Sequence, residues 1–305
     1  MNSIPQVLGD LFADYRAEWP QPYFGSLFVP PPYFAKLETA RPCLLIGGRG
    51  TGKTTALKSL RFDATQTRSR SGESASTRSD YLGVYVRINK NRVRAFNARE
   101  ISADLRGRAF AHYINIIITQ ELCRLAAWLE SDCPPGSRAL NLDAIATSFS
   151  LANVSDLRSL QHALDKALSL LELWINNGGR GAQPLFSMAE APLRVFVEEL
   201  QDTGSLGTKH VFCCVDEYEN LSEEQQAVFN TYLKHSEPPL SYKIGIRRDG
   251  LHTRQTIDRG DQIATPDDYV EIDIANEGFD DFAFSVIDHR LAQARKLGID
   301  VADPN

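Results

Sequence analysis

Two kinds of apolar pattern alternate along the chain. Short continuous runs, Cys43-Leu44-Leu45-Ile46 and Val211-Phe212-Cys213-Cys214-Val215, have the form of strands buried on both faces of a parallel sheet. Tyr81 to Asn89 alternates and is rich in β-branched residues, which predicts a second strand; Leu240 to Arg247 and Tyr269 to Ile274 complete a set of five. Between these lie stripes at helical spacing. Phe110, Ile114, Ile117, Ile118, Leu122, Leu125 and Leu129 form one, ending near Cys133-Pro134-Pro135-Gly136; Leu157, Leu160, Leu164, Leu168, Leu171 and Trp174 form another, stopped by Asn177-Gly178-Gly179. Leu193 to Leu200 predicts a shorter helix. Residues 222–235 predict one with Ser222 as N-cap and Glu224 or Gln225 in its first turn, and residues 278–298 a last amphipathic one.

Strands alternating with helices indicate an α/β fold with a parallel five-stranded sheet. About 120 residues separate the second strand from the third, several times the usual connection. The reading is therefore a core over 42–275 with a helical insertion at about 95–205. Residues 1–41, rich in Pro and aromatics, form an irregular segment packed on that core, either as plain packing or as a wall for a base. Tyr33 to Leu37 starts a short helix there. Residues 276–305 begin a helical lid. The two long stripes fit packing inside one domain and also fit a coiled coil with a partner.

Composition narrows the class. Of 305 residues, 43% are hydrophobic and 24% charged, ordinary values for a globular protein. No apolar run reaches the roughly 18 residues that would span a bilayer, and Met1-Asn2-Ser3-Ile4-Pro5 is unlike a secretory signal. The five cysteines form no C-x-x-C pair or Cys/His cluster, so they read as reduced thiols of a cytoplasmic protein. Net charge is −6, yet residues 61–108 hold eleven Lys/Arg against five acids, a local balance of 11 − 5 = +6. Ala64 to Asp80, rich in Ser, Thr and Arg, predicts a mobile loop. The basic region can contact nucleic-acid phosphates or an acidic partner, or stand as a solvated surface; no aromatic residue interleaves it between 64 and 80.

Chemistry concentrates at the ends of two predicted strands. Gly47, Gly52, Lys53 and Thr54 satisfy G-x-x-x-x-G-K-[ST], directly after the first strand and at the opening of a helix. Glycines at 47, 48, 50 and 52 free the backbone to turn its N–H groups inward around phosphate oxygens. The loop Gly47-Gly48-Arg49-Gly50-Thr51-Gly52-Lys53-Thr54-Thr55 is the expected nucleotide cradle. Lys53 is expected on the β- and γ-phosphates and the Thr54 hydroxyl on Mg²⁺. Val211 to Val215 ends in Asp216-Glu217, where Asp216 can hold Mg²⁺ and Glu217 can polarise a water for attack on the γ-phosphate. Glu219 and Glu223 make that stretch acidic as a whole. Arg247 and Arg248 follow the fourth strand at the same rim and can sense the γ-phosphate in cis or reach a neighbouring subunit's nucleotide. Arg290 or Arg295 can act similarly from the last helix.

The run Leu45 to Thr55, with Phe110 to Asn115, Val215 to Glu219 and Tyr242 to Arg247, resembles the bacterial AAA+ ATPases of the origin-recognition (ORC/CDC6-like) type over about residues 20–290. The resemblance implies a five-stranded parallel sheet with the P-loop strand central, nucleotide binding near subunit boundaries, and a helical lid. It implies ATP and Mg²⁺ as ligands, with a homo-oligomer or a partner effector protein. Relatives of this type act as regulatory ATPases of multi-component systems, phage-defence modules among them. Two departures stand out. Arg247 replaces the usual Asn or Thr after the fourth strand, and only about 30 residues follow the last strand, too few for a DNA-binding winged helix beside a lid. No guanine-reading N-K-x-D occurs, which favours ATP. The expected activity is ATP hydrolysis driving a switch or assembly motor. A nucleotide-holding module with negligible turnover and a P-loop phosphotransferase are the other readings.

Overall fold

The computed structural model of the protein describes residues 28–65, 79–131, 138–258, 260–276, 279–296 and 299. Its centre is a five-stranded, all-parallel sheet: β1 (Cys43–Ile46), β2 (Tyr81–Arg87), β3 (His210–Asp216), β4 (Leu240–Ile246) and β5 (Val270–Asp273), in the order β2-β3-β4-β1-β5. The P-loop strand β1 is thus interior, and not central as the resemblance had implied it would be; β4 takes the middle place. The consequence is that the chain leaving β4 emerges between the P-loop strand and the acid-tipped strand β3.

Among the described residues the helices are α1 (Phe34–Leu37), α2 (Lys53–Ser59), α3 (Lys90–Ala95), α4 (Ala103–Ser131), α5 (Leu142–Ser148), α6 (Leu157–Asn176), α7 (Ala191–Asp202), α8 (Glu223–Lys234) and α9 (Phe279–Lys296). Strand ends differ from the sequence reading by one or two residues, as at β5, where Ile274–Asn276 is a 3₁₀ turn. Five helices of the described residues, α3 to α7, lie between β2 and β3. The stripe on the long helix α4 turns inward: it packs on β2 and against α6, α7 and α8. The α6 stripe is buried in the same cluster, so both are explained within the chain, and neither needs a coiled-coil partner for its core positions. Ser222 caps α8 in a capping box closed by Gln225, one of the two residues expected there.

On the opposite face α2 packs under β3 and β4. Phe28, Tyr33, Phe34 and Leu37 join Cys43, Leu45 and Phe212 in a second buried cluster, so the described part of the N-terminal segment acts as packing. Residues 1–27 lie outside the described ones. Lys243, wholly buried on β4, fastens this segment: its ammonium donates to the Thr39 and Arg41 carbonyls at 2.5 Å and sits 4.3 Å from the centre of the Phe212 ring.

A polar network lies inside the helical region. Asn115 Nδ2 donates to Ser187 Oγ (3.0 Å) and the Met188 carbonyl (2.8 Å), and Asn115 Oδ1 accepts from Tyr232 OH (3.0 Å). The Ser187 N–H donates to His112 Nδ1 at 3.1 Å, which makes Nδ1 the unprotonated nitrogen. His112 is 2% exposed, and burial lowers its pKa from 6.5 to about 4. Among the described residues Cys43, Cys123, Cys213 and Cys214 are buried free thiols. No described helix is long and apolar enough to cross a membrane.

Candidate active site

The loop after β1 is built by torsions few residues tolerate. Gly50 (φ 83°) and Gly52 (φ 86°) lie in the left-handed region, and Gly52 caps the N-terminus of α2. A Cβ on Gly47 would sit 2.5 Å from Thr51 Oγ1, so the cradle closes only around glycine there. The loop is fixed at its start by Gly47 N–H to the Ile246 carbonyl of β4 (3.1 Å) and at its tip by Thr51 Oγ1 to the Gly48 carbonyl (3.0 Å). Gly48, Arg49 and Gly50 are exposed along it, and Thr54 and Thr55 stand in the first turn of α2, half-buried.

Lys53 folds back over this loop, donating to the Gly47 carbonyl at 2.8 Å and the Gly48 carbonyl at 2.7 Å. Burial lowers its pKa; the charges of Glu219, then Asp216, oppose that fall. Ammonium held by backbone carbonyls is readily transferred to phosphate oxygens, which are stronger acceptors.

The acid-tipped strand arrives at the same place. Thr54 Oγ1 donates to Asp216 Oδ2 at 2.6 Å across 162 residues of sequence. Tyr85 OH donates to the same oxygen at 2.9 Å, and the Glu217 N–H to Oδ1 at 2.9 Å. Burial, then the Asp216 charge, pushes the Tyr85 pKa well up, so Tyr85 is a fixed donor. Close approach requires Gly245 on β4: a Cβ there would lie 2.8 Å from Asp216 Oδ1 and 2.7 Å from Leu57 Cδ1. A hydroxyl and a carboxylate meeting beside a glycine loop form a hard oxygen donor set that suits Mg²⁺.

Glu217 has a left-handed backbone (φ 60°, ψ 38°), uncommon for a residue with a side chain. Its Oε1 pairs with Arg87 Nη2 at 2.6 Å and its Oε2 accepts from Asn220 Nδ2 at 3.0 Å. Arg247 and Arg248 do not act as one group. Arg247 Nε pairs with Glu219 Oε1 at 2.9 Å, whereas Arg248 Nη2 reaches Asp273 at the end of β5, 2.6 Å from Oδ2. The expected residues thus converge on one rim, with Arg248 turned to its β5 side. Arg290 and Arg295 lie on α9.

Sequence reading missed Tyr85, Arg87 and Asn220 and treated Glu219 as background acidity. Strand register carries the missing signal: Arg87 pairs with Asp216, and Tyr85 with Cys214. The basic region is less free than its composition suggests. Arg87, Arg92, Arg106 and Arg108 face Glu217, Glu172, Glu224 and Asp104, while residues 66–78 lie outside the described ones.

No curated protein and no solved structure matches the chain. A family model does, over residues 10–303, and its description is ORC-CDC6-like. That family together with the parallel sheet and P-loop is consistent with an AAA+ ATPase. The chain belongs to the ORC-CDC6-like family.

Proposed function

We propose that the protein is a Mg²⁺-dependent ATP hydrolase that works as a nucleotide-driven switch or assembly motor. The observation that carries this reading is the 2.6 Å contact of Thr54 with Asp216, which joins the glycine cradle to the acid-tipped strand. Thr54 and Asp216 would hold the metal, and the backbone from Gly47 to Thr55 would cradle the phosphates, with Lys53 leaving its carbonyls for phosphate oxygens. When bound, Mg²⁺ would supply charge neutralisation of the phosphate oxygens. Glu217 would orient water and accept its proton, and Arg247 and Arg248 would meet charge developing on the terminal phosphate. Catalysis of this kind is positioning plus electrostatics rather than covalent chemistry.

Release of that phosphate would free the rim side chains, which is the switch. A second copy of this chain or an effector protein is the proposed partner, with the cytoplasm as the site of action. Nucleic acid could meet the basic region 61–108. Phage defence is a setting suggested by the resemblance alone.

One observation favours a second reading, a module that holds nucleotide with negligible turnover. Both oxygens of Glu217 are engaged, by Arg87 and Asn220, and a base so occupied is withheld from water.

Phosphate release from purified protein, with and without DNA and Mg²⁺, distinguishes these. Wild-type turnover that needs Mg²⁺, nucleotide binding lost in Lys53→Ala, and binding without hydrolysis in Glu217→Gln support the hydrolase. Tight binding with no phosphate from wild type supports the holding module. Label appearing on an added acceptor supports phosphotransfer. Unchanged binding in Lys53→Ala contradicts all three.

A further inference from the structure

Three acids, Asp216, Glu217 and Glu219, lie at the end of β3 and in the turn after it, and two are accounted for. Asp216 meets Thr54 and Tyr85, and Glu217 meets Arg87 and Asn220. Glu219 is different. Its Oε1 pairs with Arg247 Nε at 2.9 Å, but its Oε2 is buried and, among the described residues, has no hydrogen-bond partner. The side chain is only 13% exposed, whereas that of Arg247 is 52% exposed. A buried carboxylate oxygen without a donor is costly, so something else must hold Glu219 in place.

The backbone around it does so. Gly250 passes so near that a Cβ on it would lie 2.6 Å from Glu219 Cβ. Gln226 Nε2 donates to the Gly250 carbonyl at 2.7 Å, and its Oε1 accepts from the His252 N–H at 2.7 Å. Tyr218 OH donates to Asn230 Oδ1 at 2.8 Å, and Asn230 Nδ2 in turn donates to the Thr253 and Gln255 carbonyls. The turn after β3 and the loop after β4 are therefore braced as one unit on α8. Glu219 is fixed; Arg247 is the long, half-exposed member that can change partner. Of the acids around the P-loop lysine, Glu219 acts most strongly on the Lys53 ammonium.

We propose that Glu219 is a positioning residue for triphosphate recognition, a fixed carboxylate that holds Arg247 until a γ-phosphate draws the guanidinium away. The inference rests on the ATP-binding reading above and specifies how that site tells ATP from ADP. Arg247 leaves β4 between the P-loop strand and the acid-tipped strand, where a terminal phosphate would lie between cradle and water base. A diphosphate offers no third phosphate there and leaves the Glu219–Arg247 pair intact. A triphosphate must displace the carboxylate, so part of its binding energy is spent on moving Arg247.

The test is titration of the full chain, with Mg²⁺, by fluorescent ATPγS and fluorescent ADP. The readout is the preference for ATPγS, taken as the ratio of the two dissociation constants. In Glu219→Gln the preference rises about three- to fivefold, the range of a partly exposed ion pair. In Arg247→Gln it falls about tenfold, as for one lost hydrogen bond to a charged group. In the double variant, Glu219→Gln no longer changes it. A purely structural role for Glu219 would alter both nucleotides alike. An unchanged preference in Glu219→Gln, or an equal rise with and without Arg247, overturns the proposal. Should Glu219→Gln not fold, Glu219→Asp, which withdraws the carboxylate by one methylene, is held to the same outcomes. Lys53→Ala binding both nucleotides as wild type would instead overturn the ATP-binding reading.

Discussion

The sheet rim and the interior of the helical region hold the same kinds of polar group in opposite ways. At the rim Lys53 rests on two backbone carbonyls, Glu217 on Arg87, Arg247 on Glu219 and Arg248 on Asp273. Each contact includes at least one partly exposed charged side chain that an incoming ligand could replace. Exposed pairs of this sort contribute only about 0–1 kcal/mol to folding. Around His112 and Asn115, both buried, the partners are the hydroxyls of buried Tyr232 and half-buried Ser187 and the backbone of residues 187 and 188, all internal groups of the fold rather than charged side chains at a rim. Breaking such a network leaves desolvated groups unpaired, at about 1–3 kcal/mol each. Whether a polar cluster serves function or fold depends here less on its residue types than on whether its partners can be exchanged.

Four experiments probe this contrast. Glu217→Gln should lower phosphate release by about 10²–10⁴, the contribution of a positioned general base, while its urea midpoint stays near wild type; a large stability loss would place Glu217 with the fold. Next in size is a pH effect at His112. Its folded pKa of about 4 lies below the ordinary 6.5, so between those values the unfolded chain binds more protons and stability falls on acidification. At about 1.36 kcal/mol per unit the loss nears 3 kcal/mol at pH 4 and levels off within about one pH unit below it. Urea unfolding across that range should show the slope, and His112→Gln should abolish it.

Asn115→Ala comes third. It strips partners from Tyr232 OH, Ser187 Oγ and the Met188 carbonyl and should cost about 2 kcal/mol in urea unfolding. ATPγS affinity at a temperature where the variant is folded should not change. Tyr85→Phe is the smallest and tests the border. Tyr85 belongs to the rim, yet its ring is largely buried and its hydroxyl is committed to Asp216. A stability loss of about 1 kcal/mol with binding retained is expected; no stability loss would mean the contact is exchangeable.

How much of this was legible beforehand follows the same division. The glycine loop, Lys53 and the Asp216-Glu217 tip could be read because their chemistry lies in contiguous residues with fixed spacing. The long helices α4 and α6 announced themselves through many turns of repeating apolar positions. Helices α3 and α5 have only 6 and 7 residues, too short for periodicity to emerge. Strand order was not legible at all, since an apolar run does not say which neighbour it will pair with; hence the displacement of β1 from the centre. Tyr85, Arg87 and Asn220 reach their acids only through strand register and a 3₁₀ turn, which composition does not encode. Lys243 reads in sequence as an outward charge on a strand, and its burial depends on carbonyls of residues 39 and 41 that only the folded chain brings near.

The central claim is that the cradle after β1 and the acids after β3 form one metal-nucleotide site. A crystal structure with Mg²⁺ and a non-hydrolysable ATP analogue tests it most directly. The account predicts a metal ion held by Thr54 and Asp216, with Lys53 on the phosphates and no longer on the Gly47 and Gly48 carbonyls. Phosphates bound elsewhere on the protein, with Lys53 still on those carbonyls, would contradict it.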